Sequence, residues 1–184
     1  TYLKMENTSF EYTKIMNACR ETFQKKTEDY GTSWRILRPS SLTDQIFIKA
    51  QRIRTVQETG ENKVGETFED AFMAIVNYCI MAIIQVRDKR DMNEPLSTND
   101  AISKYDTCAK EAFELMEKKN HDYGAAWLDM RVSSITDLIL TKILRIKQIE
   151  DNKGKTIASE GSEGNYFDML NYSVFALILL KNKG

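Results

Sequence analysis

Apolar residues recur every three to four positions through most of the chain, which is the spacing of one face of an α-helix. Phe10, Ile15, Met16, Cys19 and Phe23 carry the pattern through a first segment, from about Ser9 to Lys26. Leu42, Ile46, Ile53 and Val56 carry it through a second, which starts at Ser40-Ser41 with the serines as capping oxygens. A third segment, about Glu66 to Arg87, is so rich in Phe, Ile, Val and Met that it predicts a central helix. Corresponding helices are predicted near 98–119, 134–151 and 160–181, the first of them capped from Ser97-Thr98-Asn99-Asp100. Only two prolines and eight glycines punctuate the chain, which favours long helices over sheet. Gly31, closing the turn Asp29-Tyr30-Gly31, is placed to take the positive φ that ends a helix.

The second set of helices is a copy of the first. Residues 25–57 align without a gap on residues 118–150, with 15 of the 33 positions identical, so the chain is a tandem duplication. The shared residues are not simply apolar: Asp29/Asp122, Tyr30/Tyr123, Gly31/Gly124, Trp34/Trp127, Arg38/Arg131, Asp44/Asp137, Lys49/Lys142 and Arg52/Arg145 all recur. The second and third helices of each copy are expected to pack as a hairpin. Two facing hairpins make a four-helix core, with the first helices on its flanks. The predicted fold is all-α, two tandem three-helix repeats in one pseudo-twofold bundle. Residues 1–90 form the first repeat, 91–97 a linker and 98–184 the second. The loop from Asp151 to Gly161 is expected to be longer and softer than its counterpart, Glu58 to Gly65.

Composition narrows the classes of function. With 26 Lys and Arg against 27 Asp and Glu, the net charge of −1 argues against a nucleic-acid surface, while a small anion held by a local pair of cations stays compatible. Nucleic acid would return only if Lys25, Lys26, Lys118, Lys119, Arg38 and Arg131 shared one surface. No apolar run is read as reaching the roughly 18–20 residues that cross a bilayer, and the start lacks the apolar stretch of a signal peptide. The expectation is a cytoplasmic protein with no membrane partner. Cys19, Cys79 and Cys108 are odd in number and lack metal-ligand spacing, so they read as reduced, buried thiols. His121, the one histidine, stands opposite Glu28 and reads as a surface residue.

Acids open each third helix. Glu66, Glu69 and Asp70 stand at i, i+3 and i+4, on one face of the first turns. At a shift of 94 the second copy has Glu160 and Glu163, adds Asp168, and has Gly164 where the first has Asp70. Crowded carboxylates suit Mg²⁺ or Mn²⁺, and acids at a helix start also complement the macrodipole. On the second helices, Lys49/Lys142 and Arg52/Arg145 are candidate phosphate partners. Asp44/Asp137 is a candidate metal contact, or the acid of a Ser-x-x-Asp capping box. Trp34/Trp127 and Tyr30/Tyr123 are candidate surfaces for a base, and the tryptophans equally read as core anchors.

The order Asp-Tyr-Gly-x-x-Trp, Lys-x-x-Arg-Ile/Leu and Glu-x-x-Glu followed by Asn-Tyr resembles the nucleotide modification associated domain 1 family over roughly residues 20–83 and 113–178. That family is similar to MazG-like all-α nucleoside triphosphate pyrophosphohydrolases, and the resemblance implies a MazG-like fold. It also implies Mg²⁺ or Mn²⁺ held by Glu66, Glu69 and Asp70 in one copy and Glu160, Glu163 and Asp168 in the other. Glu69, Glu163 and Asp168 would carry the chemistry. The later acid of the family's pattern is Ala74 in the first copy, and Gly164 replaces an earlier acid in the second. The resemblance therefore implies a metal-dependent pyrophosphohydrolase of a canonical or modified nucleotide. The alternative is a non-catalytic helical module for nucleotide binding or assembly. Dimers are common among MazG-like enzymes, so a homo-oligomer is implied, or a duplicated chain that imitates one.

Overall fold

A computed structural model describes residues 2–155 and 161–183. Six α-helices follow one another: α1 (Tyr2–Tyr30), α2 (Pro39–Thr59), α3 (Phe68–Arg87), α4 (Thr98–Tyr123), α5 (Val132–Asp151) and α6 (Ser162–Asn182). Short 3-10 turns at Ser33–Ile36 and Ala126–Asp129 link the first and second helices of each repeat. The fold is all-α, with no strand among the described residues.

The hairpins α2–α3 and α5–α6 face each other, α3 against α6 and α2 against α5, and form the four-helix core. Phe72, Ile75, Ile80 and Ile83 of α3 are fully buried there, as are Leu42, Ile46 and Ile53 of α2. Each such side chain contributes about 1.5–3 kcal/mol when removed from water. α6 is buried on nearly every face, as its apolar content requires. α1 and α4 pack against each other and lie across α3 and α6. α3 corrects the reading that no stretch is long enough to cross a membrane. It is long and apolar enough by composition, but most of it is buried as a core helix.

Gly31 and Gly124 take φ of 70° and 62°, and each donates its N–H at 2.8 Å to a carbonyl of the preceding helical turn. α1 and α4 thereby continue to Tyr30 and Tyr123, beyond the predicted ends at Lys26 and residue 119. The second helices start earlier than predicted. Arg38 and Arg131 are the extended residues before the first turn, and neither makes a side-chain cap. Pro39 fits the first helical position because no carbonyl there needs its N–H. Ser40 and Ser41 therefore lie inside the turn, and the capping role read for Asp44 and Asp137 is corrected. Both aspartates cross between repeats, Asp44 to Lys147 and Asp137 to Arg54, each at 3.5 Å.

Tyr12 on α1 donates to Asn171 Oδ1 on α6 at 2.6 Å, and its repeat-mate Tyr105 on α4 donates to Asn77 Oδ1 on α3 at 2.8 Å. Each repeat's first helix is thus bonded to the other repeat's third helix. The three cysteines are free and buried. Burial pushes the Cys19 thiol up to about 12 and the Cys108 thiol up to about 11, and raises Cys79 likewise. At pH 8 all three are neutral and shielded, so a chromogenic disulfide reagent should label none of them until the chain unfolds. A native thiol that reacts within seconds would contradict this packing.

Candidate functional site

The repeats share many residues where α1, α2, α3 and the 3-10 turn meet, but differ there at a few large side chains. In the first repeat these elements enclose a cavity of about 560 Å³. Its apolar lining includes Phe23, Trp34, Leu37, Met73 and Met81, with exposed Tyr30 also on its wall. Its charged lining is Lys26, Lys49, Glu66 and Asp70.

Local bonds set the charged part of the lining. Arg52 donates through Nη2 to Asn62 Oδ1 at 2.7 Å and to the Glu66 carbonyl at 2.6 Å, while Asn62 accepts from Gly65 N. These bonds fix the loop between α2 and α3 so that the Glu66 carboxylate meets Lys49 Nζ at 2.7 Å, with Arg52 Nη1 at 3.5 Å. Thr67 then caps α3 by accepting from Asp70 N at 3.0 Å. Glu66 therefore precedes the helix, and Asp70 sits in its first turn on the cavity wall. Glu69 is exposed and does not line the cavity.

In the second repeat the matching positions carry side chains that pair with one another. Asp168, which stands where the first repeat has Ala74, accepts from Lys119 at 2.7 Å and Lys142 at 2.9 Å and is largely buried. Trp127 stacks on Phe175 with ring centroids 4.0 Å apart and planes 7° from parallel, and its Nε1 donates to Asn120 Oδ1 at 3.1 Å. In the first repeat the counterparts of Phe175 and Asn120 are Met81 and Thr27. Among the described residues the Trp34 ring has no parallel aromatic partner, only Phe23 tilted at 6.2 Å and the Arg35 guanidinium 5.8 Å from its centroid, and its buried Nε1 has no hydrogen-bond acceptor. Tyr123 and Arg145 are exposed. Glu160, the counterpart of Glu66, lies outside the described residues.

Of the acids predicted as two metal sets, one in each copy, Glu66 and Asp70 share the first cavity, whereas Glu69 and Glu163 do not line it. Glu163 turns to the end of α3 and accepts from Arg87 Nη2 at 2.6 Å, while Glu111 takes the same guanidinium. These two carboxylates hold the Arg87 proton more tightly than usual. Among the described residues no three His, Cys, Asp or Glu side chains converge as metal ligands. The carboxylates at the first cavity are Glu66 and Asp70, and Glu66 is already neutralised by Lys49 and Arg52. This donor set does not fit a resident metal centre. His121 is exposed beside Asp122, as expected of a surface histidine. Of the basic residues, Lys25 pairs with Glu21, Lys26 lines the first cavity and Lys119 holds Asp168.

Two buried pairings were not read from the sequence. One is Tyr12–Asn171 with its mate Tyr105–Asn77, whose recurrence in the duplication is their signal. The other is Arg35 with Gln85, which hold each other and the linker after α3. Their counterparts Leu128 and Leu179 are apolar, and that contrast is the signal.

Comparison with known proteins adds one finding. The model of the nucleotide modification associated domain 1 family matches residues 26–86 and again residues 119–180. No curated protein and no solved structure matches.

Proposed function

The chain belongs to the nucleotide modification associated domain 1 family, and from that premise we propose that it binds a nucleotide in the cavity of its first repeat. The observation that carries this reading is a lining that combines apolar side chains with two lysines. Trp34, Met73 and Met81 offer an apolar wall for a base, and Lys26 and Lys49 offer ammonium donors for phosphate. The volume of about 560 Å³ lies within the range of small-molecule sites. Binding without turnover suits the donor set better than a metal-dependent reaction, since one of the two carboxylates is already paired with cations.

A second reading, metal-dependent pyrophosphohydrolysis, is favoured by one observation. Glu66, just before α3, and Asp70, in its first turn, line the same cavity. Mg²⁺ is commonly held by one or two carboxylates together with substrate phosphates, so a bound nucleotide would supply the missing oxygens.

Calorimetry and pyrophosphate release, run on one panel of canonical and modified nucleotides with Mg²⁺, Mn²⁺ or chelator, separate the two. Binding predicts saturable heat, about 2.7 kcal/mol of added stability at 100 times the dissociation constant, and no pyrophosphate. Lys49→Met should weaken that binding roughly tenfold or more, the worth of one charged hydrogen bond. Metal-dependent release that disappears in Asp70→Asn would establish the hydrolase instead. No heat and no stabilisation across the panel would sink both.

A further inference from the structure

We propose that the second repeat carries its own ligand mimic, and that the ligand of the first repeat is a flat ring bearing an anion in the positions of Phe175 and Asp168. The identity of the ring as a base rests on the nucleotide reading; the placement of the anion does not.

The duplication supplies the correspondence. Lys119 and Lys142 are the counterparts of Lys26 and Lys49, and both grip the Asp168 carboxylate, at 2.7 and 2.9 Å. Lys26 and Lys49 both line the first cavity, where position 74 is alanine and leaves the carboxylate's place empty. Lys26 has no ion pair among the described residues, and Lys49 meets only Glu66 there. The first repeat therefore keeps both cations and lacks the anion that joins them in the second.

The apolar lining shows a parallel substitution. Phe175 lies face to face on Trp127 in the second repeat, whereas Met81 lines the open cavity beside Trp34 in the first. Asp168 and Phe175 are seven residues apart on α6, so they lie on one face about 10 Å apart along the axis. A base, a pentose and a phosphate span a distance of this order. One chain should accordingly take one ligand, with the second site filled by its own side chains.

The test is calorimetry with inorganic phosphate, pyrophosphate and a panel of nucleoside monophosphates, on the full chain and two variants. The wild type should bind one nucleotide per chain. Ala74→Asp should weaken binding of nucleotide and phosphate at least tenfold, while its melting temperature stays level or rises. Asp168→Ala with Phe175→Met should raise the stoichiometry to two. Ala74→Asp is a surface-lining change in a cavity, so it stays informative if the double variant misfolds. Nucleotide binding undiminished in Ala74→Asp would overturn the placement and leave the nucleotide reading standing. Phosphate binding that Ala74→Asp abolishes, with no gain from any nucleoside moiety, would keep the placement and remove the nucleotide reading. Two ligands on the wild type would overturn the self-filled second site.

Discussion

Arg35→Met should lower the unfolding free energy by about 3 kcal/mol, the lower end of the cost of breaking a buried ion pair. The guanidinium donates to Gln85 Oε1 and Asp88 Oδ2, each at 2.9 Å, to the Asp91 carbonyl at 2.6 Å and to the Glu94 carbonyl at 2.9 Å. Gln85 Nε2 completes the clasp by donating to the carbonyls of Arg35, Leu37 and Met92. Methionine matches the volume and leaves these acceptors without the fork that joins them. The lower end applies because Asp88 is partly exposed and keeps Lys104 at 3.2 Å. In a chain of this size the loss corresponds to roughly 6–12 °C in Tm. Urea and thermal melts read it directly, and limited proteolysis should cut the segment between α3 and α4 faster than in the wild type. A change below about 1 kcal/mol would mean that the clasp is solvated and contributes as a surface pair does.

The same clasp shows what was legible in the sequence and what was not. The all-α bundle and its duplication could be read because helical periodicity and identity between copies are local and additive. Trp34 and Trp127 recur as core residues for that reason, and both are buried. Helix ends were less legible, because they turn on competition among neighbouring residues. Ser40 and Ser41 are good caps, yet Arg38-Pro39 starts the helix first. Asp44 and Asp137 look local and act between repeats, which only the packing of α2 on α5 reveals. The candidate site was half legible. Lys49, Glu66, Asp70, Trp34 and Tyr30 do converge, but Glu69 and Glu163 do not join them. Identity between copies drew attention to what they share, whereas the cavity is made by where they differ. Ala74 against Asp168 was visible as a missing acid, but its consequence depends on two lysines closing around a carboxylate.

Asn171→Leu should cost about 2–3 kcal/mol, and the reason lies in which group is left behind. Tyr12 donates to Asn171 Oδ1 at 2.6 Å, and Asn171 Nδ2 donates to the Ala112 carbonyl at 3.2 Å, all within the core. Burial raises the Tyr12 phenol far above its ordinary range, so it remains a protonated donor across any working pH. Leucine matches asparagine in shape and strands that donor, a penalty of about 1–3 kcal/mol beyond the lost bond to Ala112. Tyr12→Phe alone strands the asparagine oxygen and should cost about 1–2 kcal/mol. Made together, the two changes remove donor and acceptor at once, so their joint cost should fall short of the sum by at least about 1 kcal/mol. Strict additivity in that cycle would show that the bond contributes nothing. Because Tyr12 belongs to the first repeat and Asn171 to the second, the coupling also measures how firmly the repeats are joined. It acts through a residue that does not line the first cavity, so phosphate and nucleotide affinity should stay within about twofold of wild type wherever the variant is folded. Stability and binding would then separate in one experiment, with the polar core holding the repeats together and the cavity holding the ligand.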